Sequence, residues 1–393
     1  MVLRKIKCAS KCAVILAAMA MAIPGLSGLS SADSDGPDPW TIALYICADN
    51  NLEACWDQFS VPMLLNLPDN PLVNVVGWVD RLSTTGYEIV EYSGEYTTTE
   101  YCDTELDFGS PDTLSDFITW SYDTYPCENY CLVMWDHGSA WKGFSVDETD
   151  GSRMYGPDFD QAVREADVHI DVLGFDACSM SSMERMYEIS YSGYVDYMAA
   201  SEELVPGNGL PYDLQFGPVI QDPSRTPEQL AGDMVLGWEA YYGSSQRVNF
   251  VATDLRVYRA ALDEFADWTS DLADGYDLFN KAYNRAMKHA YTVSGSVCQA
   301  DLLDLAQLLY EELGKYPVSP EKTALADSTL CLKNALGSAF IAISTGSVAR
   351  DTRGVTIWWS WAGTWDSFGS WYVDNLWFAE ETQWDEFLTM YNE

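Results

Sequence analysis

Histidine and basic residues are what this chain has least of. It has 3 histidines in 393 residues, and none of its 10 cysteines sits in a Cys-x-x-Cys spacing, so it lacks the donor set of a structural zinc site. Only 21 Lys and Arg face 60 Asp and Glu, a formal net charge of −39. That balance excludes nucleic acid and anionic lipid surfaces as partners, because the chain's own field repels both. Beyond the first 32 residues no apolar run is long enough to cross a bilayer. There is no Gly-x-Ser-x-Gly elbow and no His-rich metal motif, which argues against a serine or metal hydrolase. Internal repeats and low-complexity segments are also missing. What is present is a chain 48% hydrophobic and 13% aromatic, enough to bury a substantial core. Its acidity runs along the whole length and reads as a solvated surface, though a cationic substrate or bound calcium would gain from the same field.

The N-terminus has the pattern of a signal peptide over residues 1–32. Arg4, Lys5, Lys7 and Lys11 precede an apolar run from Cys12 to Ile23, followed by Pro24 and small residues. Ser30 and Ala32 stand at the spacing a signal peptidase reads, so the mature chain is expected to begin near Asp33 and to be secreted or held in the cell envelope. The alternative, an uncleaved anchor, has too short an apolar run to span a bilayer comfortably. Export permits disulfides among the remaining cysteines, Cys47, Cys55, Cys102, Cys127, Cys131, Cys178, Cys298 and Cys331. Cys298 with Cys331, and Cys102 with Cys127, are guesses at pairs, because connectivity is not readable from spacing. Residues 33–39 are a polar linker, and nothing from Trp40 to Glu393 has linker composition, so one domain is expected over 40–393.

Short apolar runs recur at Trp40–Cys47, Leu72–Val79, Tyr130–Trp135, Ile170–Phe175 and Tyr194–Ala200, each bounded by charged or turn residues. Strands apolar on both faces belong in a sheet covered on both sides by helices, the mostly parallel arrangement of α/β proteins. Further strands are expected at Arg247–Thr253, Ala339–Ser344 and Val355–Trp361. Helices are expected at Asp112–Thr124, where Leu114, Phe117, Ile118 and Ser121 mark an inward face and Thr113 to Asp116 a capping pattern. Others follow Cys178 and lie around Thr226–Tyr242, Leu255–Leu272, Asp301–Leu313 and Trp384–Tyr391.

Two clusters of reactive residues follow the ends of buried strands, where open parallel sheets place their functional loops. The first is Trp135-Asp136-His137-Gly138, whose glycine lets backbone approach a ligand and turn an N–H toward a developing oxyanion. Taken alone, His137 reads equally as a strand cap. The second is Phe175-Asp176-Ala177-Cys178-Ser179, a strand running into an expected helix start that would lower the pKa of the thiol. Taken alone, Cys178 reads as a small buried hydrophobe, the commoner fate of cysteine. Together they form a histidine-then-cysteine order at a separation near that of caspases.

These motifs give the chain a resemblance to the clostripain family of cysteine peptidases, relatives of caspases, legumains and gingipains. It runs from Trp40 almost to Glu393, through Ala48-Asp49-Asn50-Asn51-Leu52-Glu53, Trp135-Asp136-His137-Gly138, Gly174-Phe175-Asp176-Ala177-Cys178, Ala200-Ser201-Glu202-Glu203, Pro206-Gly207-Asn208-Gly209 and Gln383-Trp384-Asp385-Glu386-Phe387-Leu388. The resemblance implies a caspase-like α/β sandwich. It implies Cys178 as nucleophile, His137 as general acid and base, and the backbone N–H groups of Gly138 and Cys178 as oxyanion hole. It implies Asp176 in the primary pocket, with Ser201 and Glu202 near substrate, and peptide or protein substrates cut after Arg or Lys. A carboxylate there suits a guanidinium in a partly dry pocket, while a helix N-cap is its other reading. Ser139-Ala140-Trp141 after the Gly138 position, Ser179 after the cysteine and Asn208 in place of an acid depart from the family pattern, and bear on fine specificity.

Family members are often made as zymogens cut between the histidine and the cysteine. Here the corresponding segment, Lys142 to Pro157, offers Lys142 and the turn-borne Arg153. No cofactor is required by the sequence. Some family members need calcium, and Asp147, Glu148 and Asp150 offer oxygen ligands in this loop at a spacing that is not an EF-hand's. The competing reading of the chain is an idle surface or adhesion protein on the same scaffold, with the aromatic-rich Val355–Trp377 region as a binding face.

Overall fold

The computed structural model describes residues 4–6, 36–93, 96–243, 247–293, 298–347, 349 and 352–393. The apolar run at Cys12–Ile23 and the cleavage site near Ala32 lie outside the described residues. One sheet of ten strands runs through the molecule. In spatial order its strands are Arg4–Ile6, Tyr96–Cys102, Tyr87–Ser93, Val73–Arg81, Asp38–Ala48, Cys127–Trp135, Ile170–Asp176, Val195–Ala200, Asn249–Asp254 and Phe340–Thr345. The five from Val73–Arg81 to Val195–Ala200 are mutually parallel. Antiparallel pairs close both sides, a hairpin at Tyr87–Cys102 and the Asn249–Asp254 strand with its neighbour.

The central strands carry apolar residues on both faces because both are covered, and period-two alternation sends neighbours to opposite layers. Along Asp38–Ala48, Ala43, Tyr45 and Cys47 join one core with Phe117, Phe159 and Met186, while Ile42, Leu44 and Ile46 join the other with Trp56, Phe216 and Trp238. The first core therefore rests on helices Pro111–Thr124, Gly156–Ala166 and Met183–Ser190, the second on helices Tyr212–Gln221 and Pro227–Tyr242. The first core continues into a helical layer from Leu262–Asp274 to Trp384–Asn392.

Several local readings change. Helix Pro111–Thr124 is capped by Ser110, whose side chain accepts from Asp112 N, rather than by the Thr113 pattern, because the chain turns helical three residues earlier. The Val355–Trp361 run yields only a short strand, Thr356–Trp358, paired with Gln299–Asp301 outside the main sheet. Cys298 and Cys331 are not bridged, nor are Cys102 and Cys127, since Cys127, Cys298 and Cys331 are free thiols. The 142–157 segment folds as a hairpin of Phe144–Asp147 with Ser152–Met154, closed at Gly151, which takes φ +69°. Among the described residues no helix is long and apolar enough to cross a membrane.

Candidate active site

From Asp38–Ala48 the chain steps one way to Val73–Arg81 and the two strands beyond it, then crosses back to Cys127–Trp135 on the other side. Such a reversal opens a crevice at the carboxyl ends of the strands. Strands Cys127–Trp135 and Ile170–Asp176 are parallel neighbours with Trp135 opposite Asp176, and Asp136 N donates to Asp176 O at 3.2 Å. Two residues further on, His137 and Cys178 leave the same end of the sheet in matched positions. The loops touch at Gly138, where a Cβ would lie 2.4 Å from Cys178 O and 2.9 Å from Cys178 N. Only glycine permits that approach. Among the described residues neither Gly138 N nor Cys178 N donates a hydrogen bond.

Cys178 sits on a tight turn rather than at a helix start. Ser179 takes φ +59°, a left-handed conformation that costs a non-glycine residue about 1 kcal/mol or more, and its N donates to Glu203 O at 3.0 Å. The helix begins only at Met183, capped by Ser182. The thiol is therefore not acidified by a helix terminus. Burial pushes it above the ordinary thiol range, opposed by the N–H of Val205, which lies 3.3 Å from Sγ, and reinforced by Asp176, Asp136 and Glu203. Burial likewise lowers His137, with Glu148 opposing and Arg153 adding to the shift. Both shifts favour the neutral forms, so thiol and imidazole rest uncharged.

One later segment, Gly354–Trp358, holds this turn and the start of the helix after it. Ser181 Oγ donates to Gly354 O at 2.6 Å, Thr356 N donates to Ser181 O at 3.0 Å, and Trp358 N donates to Glu184 Oε1 at 2.8 Å.

The histidine is oriented from the first strand. Asn51 Oδ1 lies 2.9 Å from His137 Nε2. With the amide oxygen as acceptor, Nε2 carries the hydrogen and Nδ1 is left as the basic nitrogen. Asn50 ties the same loop to the histidine loop, its Nδ2 meeting Asp136 Oδ1 at 2.7 Å and Val146 O at 2.9 Å. Asp136 in turn accepts from Val146 N, and burial pushes its carboxyl up to about 8. Neither asparagine is singled out for a role by the sequence reading, where both stand only in the Ala48–Glu53 motif, a polar cluster at the end of a buried strand.

Asp176 is buried beneath the Pro206–Leu210 loop. Leu210 N at 3.0 Å and Tyr212 OH at 2.8 Å both donate to its Oδ2. Gly209, at φ +69°, would place a Cβ only 2.7 Å from the same oxygen. Burial raises the Asp176 carboxyl to about 6 against those two donors. It caps no helix. Ser201 and Glu202 are fully buried. Ser201 Oγ bonds Asn249 Oδ1 at 2.9 Å, and Glu202 Oε1 accepts from Asn249 Nδ2 at 2.7 Å and Gly354 N at 2.8 Å. Their side chains brace the Ala200 strand end, and these contacts do not turn them toward the thiol. Glu203 pairs with Arg247 at 2.9 Å.

Arg153 is exposed on the hairpin, whereas the Lys142 ammonium lies 3.6 Å over the Phe368 ring. Asp147 is buried at the hairpin's end, while Glu148 and Asp150 are exposed. Most of the aromatic region Val355–Trp377 faces inward. Trp358 and Trp359 are buried, and Trp141 packs against Trp358, Phe368, Trp371 and Tyr372, leaving Trp361 as its exposed ring.

The clostripain family model matches residues 44–391. The chain is 26% identical over 220 residues to clostripain of Hathewaya histolytica, across 45% of this chain and 41% of that protein. It thus spans about two fifths of the length of that curated relative. Its fold is similar to a secreted C11 cysteine protease from Bacteroides thetaiotaomicron solved with an irreversible peptide inhibitor, at a TM-score of 0.64 and 17% identity over 90% of this chain and 100% of that one. It is also similar to an inactive zymogen C11 protease from Parabacteroides distasonis, at a TM-score of 0.65 and 16% identity over 89% of this chain and 99% of that one.

Proposed function

Because the chain belongs to the clostripain family of cysteine peptidases, we propose that it is an exported endopeptidase cutting after Arg or Lys, with Cys178 as nucleophile and His137 as its proton-transfer partner. The observation that carries this reading is the matched exit of the two residues from paired strands, with Gly138 packed on the Cys178 backbone.

The resting pair is neutral, so the thiol proton must move as the reaction starts. Sγ attacks the carbonyl carbon of the scissile bond while its proton passes to His137 Nδ1, the nitrogen left free by Asn51. The unengaged N–H groups of Gly138 and Cys178 receive the oxyanion. The imidazolium then gives its proton to the departing amine, leaving an acyl group on sulfur. Water attacks that thioester with His137 taking its proton, and the returning proton restores the thiol as the carboxylic product leaves.

Specificity rests on Asp176. Both of its protein donors fall on Oδ2, which leaves Oδ1 to accept from a guanidinium entering beside Cys178. The exposed Arg153 lies between the catalytic residues in sequence and is the basic residue at which self-cleavage would occur. Export rests on the N-terminal pattern and on the secreted character stated for the Bacteroides thetaiotaomicron protease. The idle-scaffold reading is disfavoured by the inward packing of the aromatic region. The test is a set of fluorogenic peptides varied at the residue before the cut, with Cys178→Ala as control. Equal turnover by the two proteins would refute the assignment.

A further inference from the structure

One buried charge has no part in the proposed chemistry. Arg185, 1% exposed, stands in the first turn of helix Met183–Ser190, which follows the Cys178 turn. Its Nη2 donates to Ala140 O at 2.7 Å, while its Nε and Nη1 are buried with no hydrogen-bond partner. Glu184 and Glu188 lie on the same helix, but neither bonds the guanidinium. Each turns Oε1 to a backbone N–H, that of Trp358 or Phe378, and each leaves a buried Oε2 without a partner.

The one bond Arg185 makes falls on the loop that carries the histidine. Ala140 comes three residues after His137 and takes φ +49°, a left-handed conformation that persists only where its surroundings hold it. The guanidinium also lies 4.8 Å from the centroid of the Phe144 ring, and Phe144 forms an antiparallel bridge with Gly138. The same ring stands edge-on to Phe175, three residues before Cys178. At the exit of the hairpin a Cβ on Gly156 would lie 3.1 Å from Nη1. One side chain thus reaches from the helix behind the cysteine to both ends of the hairpin behind the histidine.

Fold stability gives no reason for a charge at this place. A buried guanidinium with one hydrogen bond carries a desolvation cost, and an apolar side chain of similar volume is often neutral or better for the fold. The start of helix Gly156–Ala166 beside it is the positive end of that helix, which disfavours a cation. What the charge adds is direction, since a charge-assisted bond to a single carbonyl fixes the loop where apolar contact would let it slide. We propose that Arg185 is a positioning residue for His137 and Cys178, a buried clamp that sets the height of the histidine loop over the cysteine turn. It touches no substrate and carries no proton in the reaction. The proposal rests on the reading of Cys178 and His137 as the reacting pair.

The test compares wild type, Arg185→Met, Arg185→Lys and Cys178→Ala by peptide hydrolysis, thermal unfolding and iodoacetamide labelling. Arg185→Met should lower kcat about ten- to a hundredfold, as expected of a misplacement near 1 Å, with KM within about twofold of wild type. Its Tm should equal or exceed that of wild type, because Glu184 and Glu188, both raised by burial to about 7, take up protons once the cation is gone. Cys178 should be labelled at the wild-type rate, its own turn being untouched. Arg185→Lys should fall between Arg185→Met and wild type in kcat, since an ammonium can donate to Ala140 O but has no plane to lay on Phe144. Wild-type kcat in Arg185→Met overturns the proposal, and so does a lowered Tm with kcat and KM changing together, the mark of a residue that only holds the fold. Should Arg185→Met fail to fold, Arg185→Lys decides: reduced kcat at unchanged KM supports the clamp, and wild-type kcat with a lowered Tm overturns it. Full hydrolysis by Cys178→Ala refutes the reacting pair and the proposal with it, whereas an inactive Cys178→Ala beside a fully active Arg185→Met refutes the proposal alone.

Discussion

Replacing Asp176 by Asn separates charge from shape in the proposed specificity pocket. The amide oxygen can take the place of Oδ2 and still accept from Leu210 N and Tyr212 OH, so the loop over the pocket keeps its two anchors. The amide nitrogen then occupies the Oδ1 position and offers hydrogens where a guanidinium needs an acceptor. A charge-assisted bond contributes about 1.5–3 kcal/mol, or roughly ten- to a hundredfold in catalytic efficiency. The assay compares kcat/KM for paired peptides with arginine or its neutral isostere citrulline before the cut. Wild type should favour arginine by that ratio, with lysine intermediate because its point charge cannot make the paired contact. Asp176→Asn should bring the ratio near one while iodoacetamide still labels Cys178 at the wild-type rate. The preference should also depend on pH. The carboxyl is raised to about 6, so it is charged above that value and neutral below it, and the arginine advantage present at pH 7 to 8 should fade as pH drops through about 6. A variant that keeps the full arginine preference would refute the pocket role of Asp176, and since Glu202 is bonded to Asn249 and Gly354 and Glu203 to Arg247, the acid would have to lie outside both.

Cys178→Ala should abolish peptide hydrolysis and His137→Ala should reduce it by several orders of magnitude, as for groups acting as one unit; activity surviving either change removes the dyad. Because burial raises the thiol and lowers the imidazole, alkylation of Cys178 by iodoacetamide should climb with pH to a midpoint above the ordinary thiol value of about 8.5, and a rate already at its plateau at pH 6 would mean a resting ion pair. Asn51→Ala frees the imidazole to turn and should cut kcat by about ten- to a hundredfold with KM little changed, whereas an equal rise in KM would place Asn51 against substrate. Gly138→Ala forces a methyl onto the Cys178 carbonyl and should lose most activity, with thermal unfolding reporting how far the two loops part.

The buried strands were legible because two covered faces leave a sequence no polar alternation, and Trp40–Cys47 or Ile170–Phe175 admits few other readings. The edge hairpin was not. Tyr87–Ser93 and Tyr96–Cys102 mix Thr, Glu and Tyr because they lie at the margin of the sheet, where polar composition resembles a loop. His137 and Cys178 were visible from their places just past strand ends. The thiol's surroundings were read wrongly, since a helix was expected at Cys178 and the chain inserts a left-handed turn at Ser179 before one begins. Asn51 lies 86 residues from His137, so their pairing exists only once the sheet is ordered.

The clasp between the Cys178 turn and the Gly354–Trp358 segment has a consequence for when the site comes into being. Ser181 and its acceptor Gly354 are separated by 173 residues. A ribosome releases the turn long before it releases the residues that fasten it, so a growing chain carries Cys178 without the bracing that Gly354, Thr356 and Trp358 give its loop. The order of synthesis then acts as a delay. A growing chain carries a thiol whose loop is not yet set, and on the proposed reading the nucleophile becomes competent only after nearly the whole polypeptide is free to fold.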